Sequence, residues 1–335
     1  MQCNHTLARF CWALLALFLF TMAAMAAEPS PRELPDLRPT ANAQRPGSVL
    51  VYNIYTSDAT KPETQNTSIT VTNTNKQQFV ALHVFAIRGS DGSVADAFIC
   101  LTANQTTTIL TSEFDPGSTG YLVIIAVDRR TGCPIGFNFL MGSEYVKFAS
   151  GHTAALPAES IPALFTGTLP DCQAGATTAK LNFDGVDYAE VPNTIIVDKI
   201  PSPAEGNSTM VVFNSLGGSL NIAGNSVARI GDFTGRLFDD SETSVGFTGN
   251  AGYQFRSLLD DTFPTTTPRL SAFVPTGRTG WMRITAAEGR GITGAVLNFN
   301  PDTATKRTVF ISGRNLPHLK TTSANLTIGL FPPSC

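Results

Sequence analysis

The sequence predicts an all-β chain of two tandem, sequence-related antiparallel β-sandwiches. Three observations carry that expectation. Short apolar runs alternate with Gly, Asp, Asn and Pro turn signals along most of the 335 residues, the pattern of a sandwich or barrel. Helical periodicity is scarce; the best candidate, "PAESIPALF" from Pro157, is cut short by its second proline. Finally, the chain repeats itself, segment by segment and in the same order.

The elements follow in chain order. Residues 1–26 read as a cleaved secretory signal: Arg9 supplies the positive n-region, an apolar run extends from Phe10 to about Met22, and Ala24-Met25-Ala26 offers small residues for cutting after Ala26 or Ala27. An uncleaved anchor is the competing reading, but the run is short for a span of roughly 20 residues. Cys11 lies ahead of the run, so lipoprotein-type attachment is not expected. Residues 27–45, rich in proline, read as a semi-extended tether. The first sandwich is expected over 46–172, with strands such as "SVLVYNIY", "SITVTNTN", "FVALHVFAI" and "YLVIIAV" and a short helical or irregular tail. A connector over 173–189 leads to the second sandwich, 190–335. No later run approaches a transmembrane span, so the exported chain is expected to be secreted, periplasmic or held at the cell surface.

The repeat sets the boundaries. "SVLVYNIYTSD" from Ser48 matches "TIIVDKIPSPA" from Thr194, "LTANQTTTIL" from Leu101 matches "FTGNAGYQFR" from Phe247, and "TGYLVIIAVDRRTGCPIGFNF" from Thr119 matches "TGWMRITAAEGRGITGAVLNF" from Thr279. Side chains two apart share a strand face, and a slip of one residue would turn the apolar set outward. Leu122, Ile124 and Ala126, matched to Met282, Ile284 and Ala286, are therefore expected in the cores, as are Ile69, Val71 and Asn73, matched to Met210, Val212 and Asn214. The opposite face differs. Tyr121, Val123 and Ile125 become Trp281, Arg283 and Thr285. The first apolar face is expected to be covered by the connector, the other sandwich or a partner.

Charged residues make up 15% of the chain and the formal net charge is −3, against roughly 25% charged residues in typical globular domains. A nucleic-acid partner would need a basic patch and is not expected. A hydrophobic content of 42% excludes general disorder. The abundant Thr, Ser and Asn suit exposed sheet faces.

Four cysteines follow the signal: Cys100, Cys133, Cys172 and Cys335. Cys100 and Cys133 both lack counterparts in the second copy, which favours their pairing. Cys172 and Cys335 end similar "LPDC" and "PPSC" segments and could pair with each other, or Cys335 could join a second chain. Four cysteines allow three connectivities, and sequence leaves the choice open. No CxxC or HxxxH spacing points to zinc.

Catalytic signals are weak. No GxSxG elbow occurs. His83 lies in a strand pattern and reads as structural; His152 and His318 read as loop or turn residues. Glu113, Asp115, Glu144, Asp260 and Asp261 could supply a glycosidase pair, yet they read best as solvated loop charges. "FDDSETS" from Phe238 and "LLDDTF" from Leu258 hold oxygens for calcium without the alternating ligands of a binding loop, so no cofactor is expected and calcium stays a secondary reading. "GRGITG" from Gly289 reads as a hairpin turn, and the Asn-x-Ser/Thr triplets at Asn66, Asn104, Asn207 and Asn325 as sites glycosylated only in a eukaryotic secretory pathway. Tyr121 and Trp281, alike in position, are the candidate exposed aromatics for stacking on a sugar. Together with Val123, Ile125, Arg129 and Arg130, which fail to copy, they form the expected binding surface.

The order "NTSITVTNTN", "LTANQTTTILTSEF", "GSTGYLVIIAV" and "PIGFNFL" resembles tandem immunoglobulin-like β-sandwich modules of secreted proteins from environmental bacteria, mostly uncharacterised. The resemblance implies fold and export and transfers no catalytic residue. The expected function is non-catalytic: structure, adhesion or assembly at the cell envelope or outside the cell, with a protein or cell-surface glycan partner and an oligomer possible. A carbohydrate- or ligand-binding module is the alternative, and a hydrolase with an unrecognised site the third reading.

Overall fold

In a computed structural model, which describes residue 41, 45–173, 175–224, 226–302 and 307–334, the chain is nearly all β, in antiparallel sheets stacked as sandwiches. The segments expected as signal (1–26) and, apart from residues 41 and 45, as tether (27–45) lie outside the described residues, as does Cys335. Residues 38–335 gather into one compact unit.

The first half supplies β1 (Val49–Thr56), β2 (Asn66–Asn73), β3 (Val80–Arg88), β4 (Val94–Leu101), β5 (Thr106–Leu110), β6 (Thr119–Val127), β7 (Ile135–Gly136), β8 (Leu140–Lys147), β9 (Thr153–Pro157), β10 (Glu159–Ile161) and β11 (Gly167–Thr168). The connector adds β12 (Thr178–Phe183). The second half supplies β13 (Val191–Pro201), β14 (Ser208–Leu216), β15 (Gly218–Ser219), β16 (Ser226–Val227), β17 (Gly231–Asp239), β18 (Ser244–Ala251), β19 (Gln254–Leu258), β20 (Thr279–Ala286), β21 (Gly291–Asp302), β22 (Arg307–Asn315), β23 (His318–Thr322) and β24 (Ala324–Gly329).

The two halves lay down their sheets in the same order. β10-β1-β6-β3-β4 in the first corresponds to β23-β13-β20-β17-β18 in the second, and β5-β2-β8-β9 corresponds to β19-β14-β21-β22. Even a bulge repeats: β1 slips against β6 between Tyr52 and Tyr55, and β13 slips against β20 between Val197 and Ile200. A single turn of helix, Thr111–Phe114 or Leu270–Phe273, precedes β6 or β20. The copied "TG" before Tyr121 and Trp281 has a steric cause. A Cβ on Gly120 would sit 1.9 Å from the Ile87 carbonyl oxygen, and one on Gly280 would sit 2.9 Å from that of Phe238.

Each half has its own core between a five-stranded and a four-stranded sheet. Leu50, Tyr52, Ile69, Val71, Leu122 and Ile124 fill the first. Ile195, Val197, Val211, Phe213, Met282 and Ile284 fill the second. The parity expected for β6 and β20 therefore holds. On β14 it is off by one residue: Val211 and Phe213 match Ile69 and Val71, while Val212 points into a separate cluster and Asn214 into a buried polar one. The strand is apolar on both faces because both are buried, so the alternation that would fix its register is missing. The same one-residue shift applies to β1, whose Leu50 and Tyr52 correspond to Ile195 and Val197 by their partners on β6 and β20. "PIGFNF" from Pro134 is likewise not the counterpart of its match from Gly294. It holds the two-residue strand β7 and the turn before β8, whereas Gly294 lies inside β21.

A third sheet, β12-β24-β15-β16, joins the connector, the last strand and an insertion of the second half. Its buried face, Ala179, Leu181 and Phe183 of β12 with Leu326 and Ile328 of β24, lies against Val51, Phe85, Tyr121, Val123 and Ile125 of the first five-stranded sheet. Cys133 and Cys172 tie the loop after β6 to the start of the connector, with their Cα atoms 6.0 Å apart. That corrects the expected Cys100–Cys133 and Cys172–Cys335 pairs. Cys133 lies in the loop after β6 and its sulfur is taken by Cys172, which leaves none for Cys100. Cys100 is also disulfide-bonded. A non-reducing peptide map is expected to join Cys133 to Cys172, and replacing both by serine is expected to lower stability by about 3 kcal/mol. A Cys100–Cys133 peptide in that map would contradict the pairing.

The halves meet along a seam. Ile54, Val146, Ala154 and Leu156 pack on Val212, Ala295 and Leu297. Beside them the β1 bulge projects Asn53, whose amide lies 3.1 Å from Glu159 Oε1, the Gly294 carbonyl and Asn315 Oδ1. Asn214 donates to the Asn53 carbonyl at 2.8 Å, and Gln254 donates to Asn214 Oδ1 at 2.8 Å. His318 Nε2 lies 2.9 Å from Glu159 Oε2. Burial holds the Glu144 carboxyl well above the usual carboxylate range; backbone donors at Ile54 and Asn53 oppose this and the charge of Glu159 adds to it. The seam thus links β1, β8 and β10 to β14, β21, β22 and β23 by buried polar groups as well as apolar ones, and leaves Glu144 Oε2 without a hydrogen-bond partner among the described residues.

Candidate functional site

The outer faces of the two five-stranded sheets are topological equivalents with opposite fates. In the first, neighbouring strands pair Ile87 with Tyr121, Phe85 with Val123 and His83 with Ile125. In the second, the same places pair Phe238 with Trp281, Arg236 with Arg283 and Thr234 with Thr285. The third sheet covers the first face, so Tyr121 is 1%, Val123 2% and Ile125 0% exposed. These three cannot form a binding surface, which corrects that expectation; a covered sheet face must be apolar to be stable. His83 belongs to this sealed layer. Its Nε2 lies 2.7 Å from Asp96 Oδ2, its ring stacks on Phe98, and burial lowers its pKa against the pull of Asp96.

The second face is open, and its chemistry follows from alternation along β17 and β20. Phe233 and Leu237 point into the core, which leaves Thr234, Arg236 and Phe238 outside. Met282 and Ile284 point in, which leaves Trp281, Arg283 and Thr285 outside. Rows therefore cross the sheet. Thr248, Thr234, Thr285 and Thr194 form a hydroxyl row that reaches Lys320 on β23. Beside it, Gly246, Arg236 and Arg283 form the next row, and Phe238 with Trp281 the one after.

The aromatic pair is a wall and not a platform. Its ring centroids are 4.1 Å apart and its planes 5° from parallel. Strands lie about 4.8 Å apart, so rings on adjacent strands that stack this closely stand on edge. In the rows next to the pair lies a groove of about 790 Å³, lined by Thr234, Arg236, Gly246, Thr248, Arg283 and Thr285 among others but by neither ring. A Cβ on Gly246 would meet nothing nearer than the Gly235 carbonyl oxygen at 3.9 Å, so the missing side chain opens the groove beside Arg236. A second groove, of about 590 Å³, shares Thr234, Thr248 and Thr285 and continues the first toward Asp232 and Asn250, which are hydrogen-bonded to each other at 2.6 Å.

Arg236 and Arg283 sit directly opposite each other, an arrangement that like charges disfavour. Three arginines find carboxylates, Arg88 with Asp91 and Asp115, Arg278 with Asp239 and Asp240, and Arg314 with Asp198, whereas most of the other described arginines do not. Among the described residues neither Arg236 nor Arg283 has one. Among the described residues, Arg236 donates to the Ser244 hydroxyl at 3.4 Å.

The other candidates are not brought together here. Arg129 and Arg130 are exposed on the turn after β6, which Asp128 shapes by accepting from the Arg130 and Thr131 backbone N–H groups. Glu144 is sealed in the seam, and Asp115 accepts the Tyr55 hydroxyl at 2.5 Å. The acidic segments considered for calcium spend their oxygens locally. Asp239 accepts from Ser241 and Thr243, Asp240 pairs with Arg278, Asp260 accepts from Thr262, and Asp261 accepts from Ser271. Among the described residues no group of three His, Cys, Asp or Glu side chains is placed to hold a metal ion, and no helix is long and apolar enough to cross a membrane. Arg236 and Phe238 escaped sequence reasoning. The alternation in "FTGRLFD" from Phe233 is the signal that exposes them.

No family model and no curated protein matches this chain. Among solved structures, a calcium-binding mutant of Bacteroides uniformis beta-glucuronidase 2 is similar at 9% identity and a TM-score of 0.13, over 80% of this chain and 28% of that one. The chain thus spans well under a third of that protein's length, and the likeness is too slight to bear on fold or activity.

Proposed function

We propose that this is an exported, non-catalytic β-sandwich protein that works by adhesion, holding an extracellular or envelope ligand on the open face of its second half. One observation carries this reading. Of two equivalent sheet faces, one is apolar and sealed by the chain's own third sheet, and the other sets a cross-strand arginine pair and a hydroxyl row along an open groove, with a stacked aromatic pair in the next row. Burial of that second face under a protein sheet would cost several kcal/mol for the unpaired cations. A hydrated ligand fits it better. Export is supported by the apolar leader and by the Cys133–Cys172 bridge, since disulfides persist in oxidising compartments.

The chain has two tryptophans, Trp12 in the leader and Trp281 on this face. With the leader removed, tryptophan fluorescence reports on the proposed site alone. A glycan or envelope fraction that binds is expected to change the fluorescence saturably, and Arg283→Glu is expected to abolish the response without unfolding the protein. Binding that leaves the fluorescence unchanged and survives Arg283→Glu would place the ligand elsewhere and refute the reading.

A further inference from the structure

Resting on that reading, we infer that the open face of the second five-stranded sheet takes an acidic polysaccharide, with Arg236 and Arg283 receiving the carboxylates of its uronic-acid units. The cation pair comes first in the argument. Two arginines paired across neighbouring strands, neither with a carboxylate partner among the described residues, put like charge side by side on one face, which an anion between them relieves. The threonine row beside them, Thr234, Thr248 and Thr285, offers hydroxyls that both donate and accept, which suits the sugar hydroxyls that accompany each carboxylate. Lys320 extends that row with another cation.

Shape narrows the class further. Trp281, Arg283 and Thr285 follow one another along β20 at alternate positions, so aromatic edge, cation and hydroxyl recur about every 7 Å over roughly 13 Å. The groove continues into its neighbour through Thr234, Thr248 and Thr285, which favours an extended chain over a compact anion. An acidic peptide would seek the unpaired backbone of a sheet edge; here the ligand meets a sheet face, whose backbone groups are already paired between β18, β17, β20 and β13. A nucleic acid would need many more phosphate contacts than two arginines and a lysine supply.

The test uses the leader-free, oxidised chain and Trp281 fluorescence, with thermal unfolding as a folding control. The probes are polygalacturonate, alginate and hyaluronan; fully methyl-esterified polygalacturonate and dextran serve as uncharged comparators, and poly-glutamate as an acidic peptide. At least one uronate polymer is expected to bind saturably and to weaken on adding salt. Esterification, Arg236→Gln and Arg283→Gln are each expected to weaken binding about tenfold or more, the scale of one charge-assisted hydrogen bond. Arg130→Gln, on the far turn, is expected to change nothing. Equal binding of esterified polymer or dextran, lost in the Arg283 variant, would overturn the acidic class and leave the adhesive face standing. Binding of poly-glutamate in place of the uronates would overturn the polysaccharide. No response to any probe would overturn the inference, and with it the adhesive reading if envelope fractions also fail to bind.

Discussion

Replacing Val123 by arginine, the residue that its counterpart Arg283 carries, is expected to detach the third sheet from the first half. Val123 is 2% exposed and packs among Tyr121, Phe85, Leu181 and Leu326. The substitution forfeits about 1.5–3 kcal/mol of burial and places a cation in an apolar layer, where an uncompensated charge costs about 3–5 kcal/mol. The chain can escape the second cost only by exposing the layer. A fall in Tm on the order of 10 °C is expected, with new protease sensitivity and fast amide exchange in Thr178–Phe183 and Ala324–Gly329. The reciprocal change, Arg283→Val, is expected to shift stability by no more than about 0.5 kcal/mol, because Arg283 is only half-buried and no sheet of the described residues covers that face. A Val123→Arg protein as stable as the parent would mean that the third sheet does not seal the first.

Glu159→Ala is the second large effect. It leaves His318 without its carboxylate and removes one acceptor of the Asn53 amide inside the seam, at a cost of about 3–5 kcal/mol. Glu159→Gln keeps an acceptor for Asn53 and is expected to cost less. The ion pair also sets a pH dependence. Burial lowers the His318 pKa, but the Glu159 charge and hydrogen bonds to Glu159 and the Ala41 carbonyl outweigh it, and the net direction is up from 6.5. The folded protein then holds a proton that the unfolded chain releases. This contribution is full below about pH 6.5 and is lost as pH rises through the raised folded value. Glu144, also raised, acts in the same direction from its own ordinary range upward. His83 and His152 are lowered by burial and act oppositely, favouring the fold as pH rises toward 6.5. In urea titrations across pH 6–9, His318→Gln is expected to flatten the alkaline decline; an unchanged slope would remove His318 as its source.

Much of the architecture is legible in the letters because one-sided burial writes alternation into a strand. β20 shows this: Met282, Ile284 and Ala286 face the core while Trp281, Arg283 and Thr285 stay outside, and sequence places them correctly. Where both faces are buried the signal fades. β14 runs Met210-Val211-Val212-Phe213 without a polar break, so its register with β2 reads one residue off. The Cys133–Cys172 bridge is hidden for another reason: its partners are set by which strand lies between which, and spacing along the chain does not record strand order. The site was half legible. Trp281 is among the expected binding residues, whereas Arg283 enters the sequence reading only as the counterpart of Val123, which was expected on the surface in its place. Their cross-strand partners Phe238 and Arg236 belong to a different segment, and only the pairing of β17 with β20 brings them alongside.

The third sheet has a consequence for biosynthesis. Its two longest strands, β12 and β24, follow the whole first half in the chain, and β24 follows nearly all of the second as well. As the chain is made or emerges from a membrane in order, Tyr121, Val123 and Ile125 exist long before Leu326 and Ile328 do. The first half therefore waits with an apolar face bared until the final strand is delivered, which is a long-range closure of the kind that folds slowly and invites aggregation. A chaperone that holds nascent exported chains would find its natural target there, and loss of the last strand would leave that target permanently exposed.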